Sequence, residues 1–232
     1  MKTNQEYKNA ALAALKGNWP QAIVATFIVL LLDVLMNVCT LGYQYLYAIT
    51  LIKADAWVLP LVDISCVLVI LLMLFFLTLP ILLGYLNSFN ALYYKSDGNL
   101  LSNLKSIAFH DMFRRSVGML AIGFISLVCT LALVVPGIIA SMALFLTPYL
   151  LEDRPELSIV QALRLSRKMM RGHKMKLFCL QLSFIGWILL SALTLGIGML
   201  WLMPYMTTTM AAFYQDVREQ YIMKEGQQES AL

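Results

Sequence analysis

The chain has 232 residues, of which 60% are hydrophobic and 13% are charged, and its mean hydropathy is +0.76. This apolar content exceeds that of soluble domains, and several apolar runs approach the ~20 residues that a helix needs to cross a bilayer. The 17 Lys and Arg exceed the 13 Asp and Glu only slightly, so we expect no nucleic-acid partner. Composition therefore excludes a soluble enzyme or binding domain and predicts an all-α, polytopic membrane protein.

The N-terminal segment is polar and helical before the first apolar run begins. Thr3 and Glu6 have capping-box spacing, an Ala-rich helix follows to Lys16, and Gly17 ends it. No cleavable signal peptide is apparent, so we expect the first span to anchor the chain. That span is predicted at about 21–41, with Tyr43, Tyr45 and Tyr47 at the far interface.

The middle of the chain holds three further apolar runs. The second span is predicted at about 57–84, with a kink at Pro80 and a helical extension to Tyr94. A surface helix follows near 100–108, and the third span is predicted at about 116–135. Pro136-Gly137 breaks the chain there. The fourth run, at about 138–151, is short; it either crosses a thinned bilayer or forms a re-entrant hairpin.

A basic amphipathic helix precedes the last two spans. Ser158 and Gln161 form a second capping box, and Gly172 ends the helix. One face is predicted to be apolar, and the candidates for binding lipid headgroups lie on the other face or just beyond the helix: Arg164, Arg167, Lys168, Arg171 and Lys174. This face either binds anionic headgroups or is simply solvated. The last spans are predicted at about 177–195 and 199–214, followed by a polar cytoplasmic tail at 217–232.

These elements predict one integral membrane domain, residues 1–216, with about six transmembrane helices in three hairpins and cytoplasmic amphipathic helices between them. With the N-terminus inside, every Lys and Arg except Lys53 lies on the cytoplasmic side. Both termini are then cytoplasmic, as expected for a multi-pass protein of the bacterial inner membrane. The similar hairpins indicate either an internal triplication or the general appearance of membrane hairpins.

Asp33 is the strongest candidate for a functional residue because it interrupts the first apolar run near the bilayer midplane. A carboxylate there costs about 2.5 to 3.5 kcal/mol on insertion scales. Asn37 lies one turn further on, and Gln181 is a candidate partner. Three interpretations remain open: helix packing through hydrogen bonds, contact with an ion, proton or substrate, or a position nearer the interface than this span implies.

No residue pattern predicts catalysis, a metal site or a cofactor. Cys39, Cys66, Cys129 and Cys179 lie in apolar runs without CxxC spacing and are expected to be free thiols. We therefore expect a non-catalytic membrane protein that contacts membrane lipids, with its basic helices on anionic lipid or a cytoplasmic partner. The alternatives are a small-solute or ion transporter that uses Asp33, and a membrane enzyme that acts on lipids.

The C-terminal third carries the most specific sequence features. The quoted segments resemble an uncharacterised bacterial family of integral membrane proteins, domain of unknown function 975 (DUF975): Ala14-Leu15-Lys16-Gly17-Asn18-Trp19, Met170-Arg171-Gly172-His173-Lys174 and Leu193-Thr194-Leu195-Gly196-Ile197-Gly198. Residues 43–115 resemble the family only in hydropathy. The resemblance implies a multi-pass inner-membrane protein, and it transfers no functional residues because none are assigned.

Overall fold

The computed structural model describes residues 2–53, 64–65, 67–71, 74–95, 100–103, 112–132 and 134–229. These ranges are helices joined by short turns and contain no strand, which confirms the all-α prediction. In chain order the main helices are α1 (Asn4–Leu15), α2 (Trp19–Lys53), α3 (Leu79–Lys95), α4 (Met112–Ala132), α5 (Val134–Leu144), α6 (Thr147–Asp153), α7 (Ile159–Met169), α8 (Lys174–Leu182), α9 (Ile185–Leu193) and α10 (Met199–Glu229).

Within the described ranges, four helical segments are long and apolar enough to cross a membrane. They are Trp19–Ile49, Phe113–Thr130, Val135–Asp153 and Lys174–Leu193. Of the predicted span 57–84, residues 57–63, 66, 72 and 73 lie outside the described residues. The predicted span 199–214 is the first half of α10, where Thr207, Thr208 and Thr209 lower the hydropathy.

The first long helix extends further than its sequence suggested. The aromatic residues after Leu41 were expected to mark the end of the span, but α2 continues without a break to Lys53. The sequence after Leu41 contains little that would end a helix. Gly42 costs only about 1 kcal/mol within a helix, and no proline follows it before Lys53. At 1.5 Å per residue, the 35 residues of α2 measure roughly 52 Å, well beyond the ~30 Å hydrocarbon core.

The hairpin between α4 and α5 turns earlier than predicted. The break was expected at Pro136-Gly137, but α4 ends at Ala132 and α5 begins at Val134, so Pro136 lies in the first turn of α5. Proline suits that position because its missing N–H has no partner there in any helix. The apolar segment after the turn, Val135–Asp153, has 19 residues and is therefore longer than the predicted 138–151. A turn at Phe145 and Leu146 separates α5 from α6 within it.

An irregular turn also precedes α3. Leu74–Thr78 form a π-helical turn, and regular α-helix begins at Leu79, immediately before Pro80. Pro80 donates no backbone hydrogen bond, which favours a disturbance of the preceding turn. Helix α3 then runs to Lys95, one residue past the predicted end at Tyr94.

Helices α3 and α10 lie in the interior of the described bundle. One core cluster gathers Tyr7, Tyr149, Phe184 and Phe213 around α10, and a second gathers Leu15, Ala22, Tyr85 and Phe89 between α1, α2 and α3. Polar side chains such as Asn87, Ser88 and Thr208 are buried, whereas Leu193 is 81% and Phe124 68% exposed. Apolar side chains outside and hydrogen-bonded polar ones inside are expected of a protein surrounded by lipid.

Candidate functional site

The basic helix α7 forms as its sequence predicts. Ser158 Oγ accepts a hydrogen bond from the backbone N–H of Gln161 at 3.3 Å, and Gln161 Oε1 accepts one from the N–H of Ser158 at 2.8 Å. Gly172, at φ +82°, reverses the chain two residues after Met170. The capping box and the glycine therefore fix both ends of the helix.

The apolar face of α7 packs on the protein itself. Ala162, Ser166, Met169 and Met170 are buried against α4, α5, α6 and α10. The Ser166 hydroxyl donates to the carbonyl oxygen of Ala143 in α5 at 2.9 Å. This contact fixes the rotation of α7 about its axis and hence the direction in which its other face points.

The opposite face of α7 carries the predicted cationic residues. Arg164, Arg167, Lys168 and Arg171 are exposed, and Lys174, at the start of α8, is partly buried. The Lys168 ammonium lies 3.3 Å from Glu225 Oε1. It also lies 5.2 Å above the ring of Tyr221, and contacts with Tyr221 and Glu225 raise the pKa of Lys168. Lys168 thus joins α7 to α10, while the three arginines point outward.

Asp33 lies in the middle of α2 and is exposed. Within the described residues its side-chain hydrogen bond comes from Asn37, whose Nδ2 donates to Asp33 Oδ2 at 3.3 Å and to its carbonyl oxygen at 2.8 Å. Gln181, in α8, is partly buried and makes no hydrogen bond to Asp33 in these ranges. The structure therefore joins Asp33 to Asn37, as their spacing suggested, but does not bring Gln181 to them.

A second polar cluster, which the sequence did not predict, surrounds residues 214–218 of α10. Asp216 accepts hydrogen bonds from the Tyr7 hydroxyl and from the backbone N–H of Lys2, the latter at 3.3 Å. Gln215 Nε2 donates to Asn90 Oδ1 at 2.7 Å, which joins α10 to α3. These contacts connect three parts of the chain that are far apart in sequence.

The same turn of α10 also binds the end of α6. The Tyr214 hydroxyl donates to Asp153 Oδ2 at 2.6 Å, and Arg218 Nη1 lies 3.7 Å from the same oxygen. The Tyr214 ring stacks on Tyr149 with centroids 4.8 Å apart. One residue earlier, Glu152 pairs at 2.6 Å with Arg115, whose side chain is only 5% exposed. Buried pairs of this kind hold helices in register, because removing one partner leaves a charge without compensation.

The electrostatics of Asp216 follow from this geometry. Burial alone raises the pKa of a carboxyl group, but the hydrogen bonds from the Tyr7 hydroxyl and the Lys2 N–H outweigh it and lower the pKa of Asp216 below its ordinary value. Burial and the neighbouring Asp216 carboxylate raise the pKa of the Tyr7 phenol. The pair is therefore a neutral phenol that donates to an ionised carboxylate.

Chemically, this cluster fastens helices together, and each charged group in it already has a protein partner. The sequence signal was weak: Glu152 and Asp153 directly follow an apolar run, and Tyr214 to Arg218 mark the point where α10 becomes polar. The surface helix predicted near 100–108 lies mostly outside the described residues. Cys39, Cys129 and Cys179 are free thiols, and Cys66 lies outside the described residues.

Comparison with known proteins gives a family but no activity. No curated protein and no solved structure matches the chain. The family model described as "Protein of unknown function (DUF975)" matches residues 44–221, which include the polar middle of α10, the basic helix α7 and the hairpin α9–α10. The match leaves out the segment at residues 14–19 that also suggested the resemblance. Because the family model matches most of the chain, the protein belongs to the DUF975 family.

Proposed function

We propose that this protein is a non-catalytic component of the bacterial inner membrane whose basic helix α7 binds anionic lipid headgroups. The observation that carries the proposal is the two-sided character of α7. Its inner face is fixed by Ala162, Ser166 and Met169, and its outer face presents Arg164, Arg167 and Arg171. A rigidly mounted cationic face gains roughly 1 kcal/mol per charge near an anionic surface.

The proposal includes the orientation of the whole chain. Six spans in three hairpins, with both termini in the cytoplasm, leave Lys53 as the lone cation on the outer side. The outer face of α7 then lies beside the cytoplasmic leaflet, where anionic lipids are attracted to it. Helix α8 begins at Lys174 and forms the first part of the candidate span Lys174–Leu193. The C-terminal end of α7 is therefore joined to a segment long and apolar enough to cross a membrane.

The test is a lipid-preference measurement on the full-length protein in nanodiscs that contain phosphatidylglycerol and phosphatidylcholine. Replacing Arg164, Arg167 and Arg171 together by Gln is expected to reduce the enrichment of phosphatidylglycerol around the protein several-fold. The matched control replaces Lys2, Lys16 and Lys224 by Gln, because it removes the same charge from exposed positions outside α7. An equal loss in both triple variants contradicts a specific role for α7.

A further inference from the structure

An apolar groove of about 420 Å³ runs between α1, the start of α2 and the hairpin α9–α10. Its walls include Leu12, Trp19, Trp187, Leu190, Trp201 and Tyr205. None of the lining side chains is charged, and the groove is of the size of small-molecule sites, which measure roughly 300–1,000 Å³. Three tryptophans thus line one apolar space.

The position of the groove indicates what surrounds its mouth. Trp187 and Leu190 belong to the candidate span Lys174–Leu193, and both are more than half exposed. In a membrane, a groove that opens along this span opens toward hydrocarbon rather than water. Its occupant is therefore apolar, and the two available kinds are a lipid chain and a helix.

The two kinds of occupant differ in what they offer beside the groove. A helix from a second copy would bring only apolar side chains to this lining, whereas a phospholipid brings an apolar chain with a charged group at one end. The groups close to the groove therefore distinguish them.

A cation lies close to the groove, separated from it by one aromatic ring. The Lys8 ammonium lies 4.5 Å above the ring of Phe184, and that ring packs edge-on against the groove residue Tyr205 at 5.5 Å. Lys8 also lies one helical turn before Leu12, on the same side of α1.

The Lys8 ammonium carries more N–H donors than it uses in hydrogen bonds within the described residues. It donates to the carbonyl oxygen of Ser183 at 3.1 Å, which uses one of its three N–H groups. Within the described residues no ion pair joins Lys8 to Asp or Glu, so its charge has no counter-ion there. Desolvation lowers the pKa of Lys8, as expected for a partly buried ammonium without a carboxylate. A phosphate beside it would supply both acceptors and charge.

We infer that this groove binds one acyl chain of an anionic phospholipid and that Lys8 neutralises its phosphate. The inference is independent of α7, because no residue of α7 lines the groove.

The acyl-chain part is tested by native mass spectrometry of the full chain in mild detergent with added phosphatidylglycerol. The wild-type protein is expected to retain one phospholipid, and Leu190→Ala to lower that occupancy roughly fivefold through lost apolar contact. Leu189→Ala is the matched control, because Leu189 is adjacent and 64% exposed but does not line the groove. No retained lipid, or the same loss in both variants, overturns the inference.

The headgroup part is tested by competition between phosphatidylglycerol and phosphatidylcholine with identical chains. Lys8→Gln is expected to reduce the preference for phosphatidylglycerol about fivefold, whereas Lys8→Arg retains it and Lys16→Gln, outside the groove, leaves it unchanged. Equal binding of the two lipids by the wild-type protein overturns the role of Lys8. A stable dimer that Leu190→Ala dissociates shows instead that a second copy covers the groove, and overturns the inference as a whole.

Discussion

Asp216 is the point at which the N-terminus, α1 and α10 meet. Its carboxylate accepts from the Tyr7 hydroxyl and the Lys2 N–H, and the Tyr7 ring also packs edge-on against Phe213 at 5.7 Å. A hydrogen bond to a charged, buried acceptor contributes more than one between neutral groups, about 1.5–3 kcal/mol. The attachment of α1 to the bundle therefore depends strongly on one phenol.

Tyr7→Phe is expected to lower the free energy of unfolding at pH 7 by about 1.5–3 kcal/mol. The lowered pKa of Asp216 stabilises the fold above the carboxyl group's unfolded value near 4, and this contribution is lost as the pH falls through the folded value. The difference between wild type and Tyr7→Phe should thus stay constant from pH 6 to about pH 5 and shrink as the pH falls from about 4 to pH 3. Unfolding in detergent, measured across that range, checks both the size and the trend.

Tyr221→Phe serves as the control for this experiment. Tyr221 also donates to a carboxylate, that of Glu225, but further along α10, where the Glu225 side chain is 46% exposed. Exposed pairs contribute about 0–1 kcal/mol, so this variant should differ little from wild type at any pH in the range. A difference for Tyr7→Phe that does not change with pH would show that only the packing of the phenol ring matters.

Residue-level prediction succeeded where the signal is local. The outward direction of Arg164 and Arg167 follows from helical periodicity alone, because apolar residues at matching intervals define the other face. The contacts of Asp216 and Asp153 did not follow, because each depends on a partner brought near only by tertiary packing. Asp33 shows the limit: its bond to Asn37 joins residues one helical turn apart, whereas Gln181, the candidate partner in another helix, makes no hydrogen bond to Asp33 within the described residues.

At the scale of elements, α1 and α7 are built on the same plan. Each starts with a capping box, at Thr3 and Ser158, and each ends at a glycine with positive φ, Gly17 at +90° and Gly172 at +82°. The number of residues between cap and glycine is the same in both, and a long apolar helix segment follows each. The third predicted span has no such glycine before it: Arg114 and Arg115, which precede its predicted start at 116, lie inside the first turn of α4.

Gly17→Ala and Gly172→Ala are each expected to destabilise the protein by about 1–2 kcal/mol. A Cβ at either position meets nothing within 4 Å, so the cost comes from the backbone conformation and not from a clash. Gly186→Ala is the control, because that position is equally open but lies within α9 and has no positive φ. There, alanine should raise stability by about 0.5 kcal/mol. Thermal unfolding of the three variants measures these changes, and equal effects would contradict the assigned backbone conformations.

The α4–α5 hairpin depends on a different property of glycine. A Cβ at Gly137 would lie 2.2 Å from Thr130 Oγ1 and 2.7 Å from Thr130 Cα, so the backbones themselves approach too closely for a side chain. Gly137→Ala should therefore cost about 1–3 kcal/mol as the two helices separate. Gly123→Ala, in open space within α4, should cause no loss. Comparable unfolding temperatures for the two variants would show that this hairpin is looser than described.

Helix ends were predictable where a residue dictates them. The starts of α1 and α7 follow from hydrogen-bonding side chains at the cap, and their ends follow from glycine. The end of α2 was not predictable, since the aromatic residues after Leu41 mark an interface only by preference and do not interrupt backbone hydrogen bonds. The turn before α5 was misplaced because proline is compatible with the first turn of a helix as well as with a break.

At the scale of the whole molecule, the arrangement of polar and apolar surface is that of a membrane protein. Exposed apolar side chains cover α2, α4 and α9, and the interior holds Thr26 and Tyr85 with their hydroxyls 3.0 Å apart. The composition alone indicated a membrane protein. It did not indicate which helices are central, because α10 is apolar in its first half and polar in its second, and only its neighbours show that it is buried.

Orientation is the property on which the proposed lipid contacts of α7 depend. Carrying a Lys or Arg across the bilayer costs about 2.5–3.5 kcal/mol at the helix centre on insertion scales, so chains insert with their cations inside.

In a variant whose four cysteines are replaced by alanine, we introduce Ala54→Cys beside Lys53, Val160→Cys on the exposed side of α7 and Lys224→Cys in the tail. A membrane-impermeant maleimide applied to intact cells should label the Ala54→Cys thiol alone, and the other two should react after permeabilisation. Labelling of the Val160→Cys thiol in intact cells would place α7 outside, away from the anionic cytoplasmic leaflet, and would remove the basis for its lipid binding. If the Ala54→Cys and Lys224→Cys thiols are labelled in intact cells and the Val160→Cys thiol is not, the number of spans is odd.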